Sequence, residues 1–334
     1  MTLVSHLRSS RSFHISRYRP YRFIAFAIAM CGFFTSHGRA GQIYVTSFGT
    51  PNGILGKYDT STGGGPVAGW SNLTVPSPTA VAVDNAGFVY LASRNNGSIR
   101  KYDSAGTQVD GWEINGLAVP QGIAINNATG RLYVAQGTSG LVASYNLSTA
   151  AIVNSNLLGS AIGNPYSVLV DPTGFVFVSA QSTGIIYKVD GTTGTTAAGW
   201  TNPTGFNSPT GLALDSSGNL FVSSYNGGFV SKFDGTNGNS LTFTSPQWNG
   251  SFMPGPQGLA IDGEDNLYVA FGTNSDAVGK YSLATSLPVP GWSYPTGLSS
   301  GVQLALVPEP STCAMVLGGL ACGGYVVVRR RKRA

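Results

Sequence analysis

Apolar residues along this chain come in short runs broken by Gly, Pro, Asn and Asp, and the runs return in the same order about every 44 residues. The clearest run follows a proline and closes on Asp or Asn: Pro78 to Asp84, Pro120 to Asn126, Pro165 to Asp171, Pro209 to Asp215 and Pro256 to Asp262. The five prolines stand 42, 45, 44 and 47 residues apart. A sixth copy, Gly301 to Val307, lacks both its proline and its aspartate. A self-similar period of this length means stacked copies of one small unit.

Each unit predicts four short strands. The first is the apolar run after proline, such as Gly258-Leu259-Ala260-Ile261. A tight turn follows, with Asp at its start and Gly or Asn inside, residues that bond the turn's own backbone or tolerate positive φ. The second strand is aromatic and β-branched, as in Val89-Tyr90-Leu91 and Leu267-Tyr268-Val269. The third carries Lys, usually followed by an aromatic residue and Asp, as in Lys57-Tyr58-Asp59 and Lys232-Phe233-Asp234. The fourth is expected to carry a Gly-Trp pair: Gly69-Trp70, Gly111-Trp112, Gly199-Trp200 and Gly291-Trp292, with Trp248 in the fifth copy and no Trp in the third.

Four-stranded units at this spacing predict an all-β fold, a β-propeller. Gln42-Ile43-Tyr44-Val45 reads as the second strand of a unit, and Gly301 to Val307 as a first strand. Pairing the two in one blade closes a ring of six and removes two open sheet edges. The pattern Pro-x-Gly-hydrophobic-Ala-hydrophobic-Asp, then Gly-Asn-Leu-Tyr-Val-Ala, resembles the NHL repeat over nearly all of 41–307. The resemblance implies an NHL-like six-bladed propeller. Asn126 and Ala305-Leu306-Val307 depart from it where the Asp is missing.

The two ends change the picture of charge. The formal charge is +5, but eleven of the 19 basic residues lie before Gly41 or after Val328, so residues 41–307 carry about −5. Nucleic-acid binding needs positive charge on the folded surface, and this argues against it. Residues 1–40 combine an Arg-rich start, the apolar run Phe23 to Phe34, and small residues at Gly38 and Ala40 before Gly41. They read as a secretory signal peptide cleaved between Ala40 and Gly41. At the other end Pro308-Glu309-Pro310 precedes an apolar stretch from Cys313 to Val328 and then five basic residues. Residues 308–334 resemble the PEP-CTERM sorting signal of Gram-negative bacteria. That resemblance implies transient membrane insertion, processing by an exosortase, a membrane cysteine protease, and delivery to the cell envelope or extracellular matrix. An uncleaved tail anchor is the alternative. A basic tail held on the cytoplasmic side would leave the propeller outside.

Candidate chemistry is sparse. His6, His14 and His37 lie before Gly41, and Cys31, Cys313 and Cys322 lie in the end segments. The domain from 41 to 307 therefore lacks the commonest general base, the thiol nucleophile and the ligands of zinc sites. No catalytic residue and no cofactor is assigned. Calcium remains the alternative, because related six-bladed lactonases and esterases hold it with Glu, Asn and Asp at the central channel. The series Asp84, Asp171, Asp215 and Asp262 reads first as turn caps, and Asp262, Glu264 and Asp265 as a solvated acidic turn. The Trp series reads as packing between blades, with a ring of sugar platforms as the alternative. Loops that lead into the first strand and out of the second vary from copy to copy. They are expected to carry the binding residues Arg94, Asn96, Gln121, Gln136, Tyr166, Gln181, Tyr225 and Gln257. This neutral, amide-rich and aromatic set suits a hydroxylated ligand such as polysaccharide. The expectation is a monomeric, exported, non-enzymatic module for polysaccharide or an envelope protein, with a calcium-dependent hydrolase as the rival.

Overall fold

The computed structural model describes residues 41–48, 52–61, 63–246, 253–272, 278–292, 298 and 301–307. The predicted signal peptide, the Pro308-Glu309-Pro310 segment and Trp248 lie outside them. The described residues hold 22 strands in six antiparallel sheets and no helix. No helix there is long and apolar enough to cross a membrane; the apolar stretch 313–328 lies outside the described residues.

Blade 1 runs outward as β22 (Gly301–Leu306), β1 (Gln42–Ser47), β2 (Asn52–Asp59) and β3 (Leu73–Pro76). Blade 2 is β4 (Pro78–Val83), β5 (Val89–Ser93), β6 (Ser98–Tyr102) and β7 (Gln108–Ile114). Blade 3 is β8 (Pro120–Asn126), β9 (Arg131–Gln136), β10 (Leu141–Asn146) and β11 (Ile152–Asn154). Blade 4 has three strands, β12 (Pro165–Val170), β13 (Phe175–Ala180) and β14 (Ile185–Asp190). Blade 5 is β15 (Pro209–Leu214), β16 (Leu220–Ser224), β17 (Phe229–Phe233) and β18 (Ser240–Leu241). Blade 6 has β19 (Pro256–Ile261), β20 (Asn266–Phe271) and β21 (Val278–Ser282).

The ring closes as the sequence predicts. β22 pairs with β1, setting Tyr44 against Ala305 and Val45 against Leu304. The inner strands neighbour one another in the order β22, β4, β8, β12, β15, β19 and back to β22. The apolar core is correspondingly six clusters, each drawing on two adjacent blades; Tyr90 and Trp112 of blade 2, for example, pack with Leu132, Val134 and Tyr145 of blade 3.

At the centre of each second strand stands one fully buried ring: Tyr44, Tyr90, Tyr133, Phe177, Phe221 and Tyr268. The Trp residues meet these rings edge-on, with centroids 5.4 Å apart for Tyr44–Trp70, 5.0 Å for Tyr90–Trp112, 5.5 Å for Phe177–Trp200 and 5.5 Å for Tyr268–Trp292. This is packing, each such pair worth about 0.5–1.5 kcal/mol beyond area burial, and it leaves no indole as an open platform among the described Trp residues. In blade 5 Phe243 lies edge-on to Phe221, with centroids 5.1 Å apart. The third-strand lysines lie over the same rings: Lys57, Lys101, Lys188, Lys232 and Lys280 sit 5.0 to 5.2 Å from them.

The fourth strand departs from expectation. Gly-Trp belongs to a strand only in β7. Gly111 within β7 and Gly69, Gly199 and Gly291 in turns all take a similar positive φ, 74°, 79°, 73° and 77°, and in each copy the indole packs on the central ring. At the three turns the chain touches the third strand through single bridges, Tyr58 with Pro66, Val189 with Thr196 and Tyr281 with Pro288. The Trp N–H then donates to the carbonyl three residues back, Trp70 to Val67 at 3.1 Å and Trp200 to Ala197 at 3.2 Å.

Candidate functional site

The inner strands start on one side of the ring, here the proline face, and end on the other, the aspartate face. On the aspartate face each strand-closing carboxylate is a turn cap. Asp84 Oδ1 accepts the N–H groups of Ala86 and Phe88, both at 2.9 Å, and Asp171, Asp215 and Asp262 repeat the motif. The second oxygen is also engaged in four blades, in blade 4 by Lys188, 3.9 Å from Asp171. Tyr90 and Tyr268 donate to Asp84 and Asp262 at 3.0 Å, and Lys232 pairs with Asp215 at 3.0 Å. In blade 3, where Asn126 replaces the Asp, the Tyr133 hydroxyl donates to Gly191 O at 2.9 Å instead. Burial, then the adjacent carboxylate, pushes the Tyr90 and Tyr268 hydroxyls well above the ordinary phenol range. Asp265 is taken up by Ser216, whose N–H and hydroxyl donate to it at 3.1 and 2.8 Å. Glu113 pairs with Arg100 at 2.7 Å in the outer strands. No three His, Cys, Asp or Glu side chains gather into a metal-sized group among the described residues.

The proline face is built differently. The residue before each proline is left-handed: Ser77, Val119, Asn164, Ser208 and Gly255 have φ of 44°, 57°, 48°, 58° and 57°. For the four that are not glycine this conformation costs on the order of 1–2 kcal/mol. Each of these carbonyls accepts an N–H from the residue just past the second strand: Arg94, Gly137, Gln181, Tyr225 and Gly272, at 2.9 to 3.0 Å. Phe48 follows β1 at the corresponding place. The result is a rim with one backbone position per blade, held alike in blades 2 to 6 by Arg94, Gly137, Gln181, Tyr225 and Gly272. Immediately inside it, every inner strand slips register by a bulge after its first residue, which frees that part of the strand from regular pairing.

The two rim glycines are overlaid by neighbouring side chains. A Cβ on Gly137 would stand 2.6 Å from Asn164 Oδ1 and 3.0 Å from Gln121 Cγ. One on Gly272 would stand 2.6 Å from Gln257 Cδ and 2.8 Å from the Tyr225 ring. Tyr166 is buried at the start of β12, and burial pushes its hydroxyl up to about 12, with Arg94 pulling it down and Tyr225 pulling it up. Blades 2 and 5 face each other across the ring of six, and blade 5 adjoins blade 4.

Of the eight sequence-named residues, Arg94, Asn96, Gln181 and Tyr225 lie in loops as expected. The other four do not: Gln121, Tyr166 and Gln257 belong to β8, β12 and β19, and Gln136 ends β9. The reason is that the strand begins at the proline itself, so the residue after it sits in the bulge rather than in the loop. Two amides are committed to structure, Gln136 Oε1 accepting Ala118 N–H at 3.0 Å and Gln181 Oε1 accepting Asn164 Nδ2 at 2.7 Å. Arg94 and Asn96 are exposed. Sequence reasoning missed Phe48, Asn164 and Gln303; aligning the copies on the residue after the second strand would have found the first.

Charge is sided. Asp84, Asp171, Asp215, Asp262, Glu264 and Asp265 stand in turns on the aspartate face, and Asp59, Asp103, Asp190 and Asp234 in the outer loops of that same face. Asp110 and Glu113 lie within β7. Among the described residues the proline-face loops hold no carboxylate.

No protein-family model and no curated protein matches the chain. Solved structures do match in fold. A chain from the crystal structure of a nidogen/laminin complex superposes with a TM-score of 0.62 at 14% identity, over 80% of this chain and 98% of that one. A protein of unknown function from Bacteroides caccae gives 0.60 at 11%, over 80% and 99%. Virginiamycin B lyase from Staphylococcus aureus gives 0.47 at 13%, over 62% and 67%. These likenesses concern the β-propeller architecture.

Proposed function

We propose that the chain is an exported NHL-type propeller, residues 41–307, that acts as a non-enzymatic binding module of the cell envelope or extracellular matrix and holds polysaccharide on its proline face. Residues 1–40 serve as its signal peptide and 308–334 as a PEP-CTERM signal handled by an exosortase. The observation that carries the binding site is the rim: one backbone position fixed by the same hydrogen bond in blades 2 to 6, and occupied there by Arg, Gly, Gln, Tyr and Gly. A repeated scaffold with unlike residues at one equivalent place is how a rigid ring presents a specific surface. Its chemistry is a guanidinium, phenols and amides, groups that hydrogen-bond and stack on hydroxylated rings. A calcium-dependent hydrolase needs acidic oxygen ligands at an axial mouth, and the described proline-face loops offer none.

The test is a glycan array probed with the exported protein and its Arg94→Ala and Tyr225→Ala variants. Binding that weakens in both variants supports the reading, and binding unchanged in both removes the proline face from it. Mass spectrometry of native protein from envelope and medium tests the ends, with Gly41 expected as the first residue and a terminus near Pro308.

A further inference from the structure

Resting on that reading of the proline face, we infer that the bound polysaccharide is acidic, a uronate-bearing chain, and that Arg94 is the residue that reads its carboxylate. Residues 41–307 contain eight basic side chains. Five are the lysines lying over second-strand rings. Arg100 is paired with Glu113, and Arg131 donates to Gly191 O at 3.2 Å. Arg94 alone has no side-chain partner among the described residues, and it is exposed. A planar guanidinium without an ion-pair partner among the described residues is a ready bidentate partner for a carboxylate.

Its surroundings favour an anion. Of the described carboxylates, Glu113 in Arg94's own blade is already paired with Arg100 at 2.7 Å, Asp110 lies within β7, and the rest stand toward the far face. The Arg94 backbone N–H donates to Ser77 O at 2.9 Å, which sets the residue on the rim of the proline face. Tyr225, half-buried on the rim of blade 5, lies with its ring over Gly272.

Two further groups specify sugar over a simple anion. Gln257 Oε1 and Gln303 Nε2 are buried without a hydrogen-bond partner among the described residues, on the neighbouring inner strands β19 and β22, and Gln303 is 9% exposed. One needs a donor and the other an acceptor. A hydroxyl supplies both, whereas sulfate or a dianionic phosphate only accepts. Carboxylate and hydroxyls together describe a uronic acid residue.

The experiment is isothermal titration of the exported protein with trigalacturonate, its methyl ester, maltotriose and inorganic phosphate, at low and high salt, with Arg94→Ala, Arg94→Lys and Tyr225→Ala. Trigalacturonate is expected to bind about tenfold more tightly than its methyl ester, and to lose about tenfold in Arg94→Ala and with added salt. Arg94→Lys should recover part of the loss, because it keeps the charge without the fork. Equal affinity for acid and ester, or an unchanged Arg94→Ala, overturns the acidic assignment; if binding of the neutral sugars still falls in Tyr225→Ala, the proline-face reading survives it. Phosphate binding as well as trigalacturonate overturns the sugar specificity. Absence of binding by every sugar overturns both.

Discussion

At the scale of the residue, the repeated aspartate does structural work that pH can expose. Asp215 is 5% exposed and caps its turn while pairing with Lys232 and Asn219. Burial alone would raise its pKa, but the Asn219 side chain and backbone N–H and the Lys232 ammonium outweigh that and hold it below the usual carboxylate range. A depressed folded-state pKa gives stability that is complete above the unfolded value and lost as pH falls through the folded one. The advantage of wild type over Asp215→Asn in urea unfolding should therefore be full above about pH 4 and shrink below it. At neutral pH Asp215→Ala should cost about 2–3 kcal/mol, because it strands the turn N–H groups and the lysine. Val119 tests the rim from the other side. A β-branched residue at φ 57° is strained, and Asn164 fills the same place in blade 4. Val119→Asn should raise unfolding stability by about 1 kcal/mol; a loss would mean the Val119 side chain matters more than its backbone.

At the scale of the element, the Trp residues of blades 1, 2, 4 and 6 contribute to how blades stack. Trp112 is 5% exposed, lies edge-on to Tyr90 and donates Nε1–H to Leu147 O of blade 3 at 2.9 Å. Trp112→Ala should cost about 3–5 kcal/mol and Trp112→Phe less, measured by thermal unfolding. The first three strands of every blade were legible in the sequence, because proline, aspartate and a central aromatic mark their ends and middle. The fourth was not. Outside β7 its Gly-Trp signature belongs to a turn whose indole packs inward, and in blade 5 Phe243, a residue outside the pattern, lies edge-on to Phe221. The candidate site was legible only as a face. Arg94 and Tyr225 were named correctly as loop residues, whereas the strand membership of Gln121, Tyr166 and Gln257 comes from a bulge, which leaves no mark in hydrophobic periodicity. The structural use of Gln136 and Gln181 depends on partners 17 or 18 residues away.

At the scale of the molecule, closure turns six weak units into one scaffold. Each blade buries its apolar face only against its neighbours, so the clusters between blades 6 and 1 and between 1 and 2 depend on β22 and β1 being in place. The glycine of the Pro-x-Gly motif shows how tightly the inner strands approach: a Cβ on Gly122 would stand 2.5 Å from Tyr166 O and 2.9 Å from Ser167 Cα of the next blade. Rigidity of this kind is what holds Arg94 and Tyr225 at a fixed span for a ligand. The measurement that tests this most directly is thermal unfolding of the chain lacking residues 301–307. Loss of β22 exposes the inner edge of β1 and opens the ring, and the midpoint should fall by more than about 10 °C at roughly 2–4 °C per kcal/mol. A midpoint equal to that of the intact protein would contradict closure, and with it the six-bladed scaffold on which the binding face is placed.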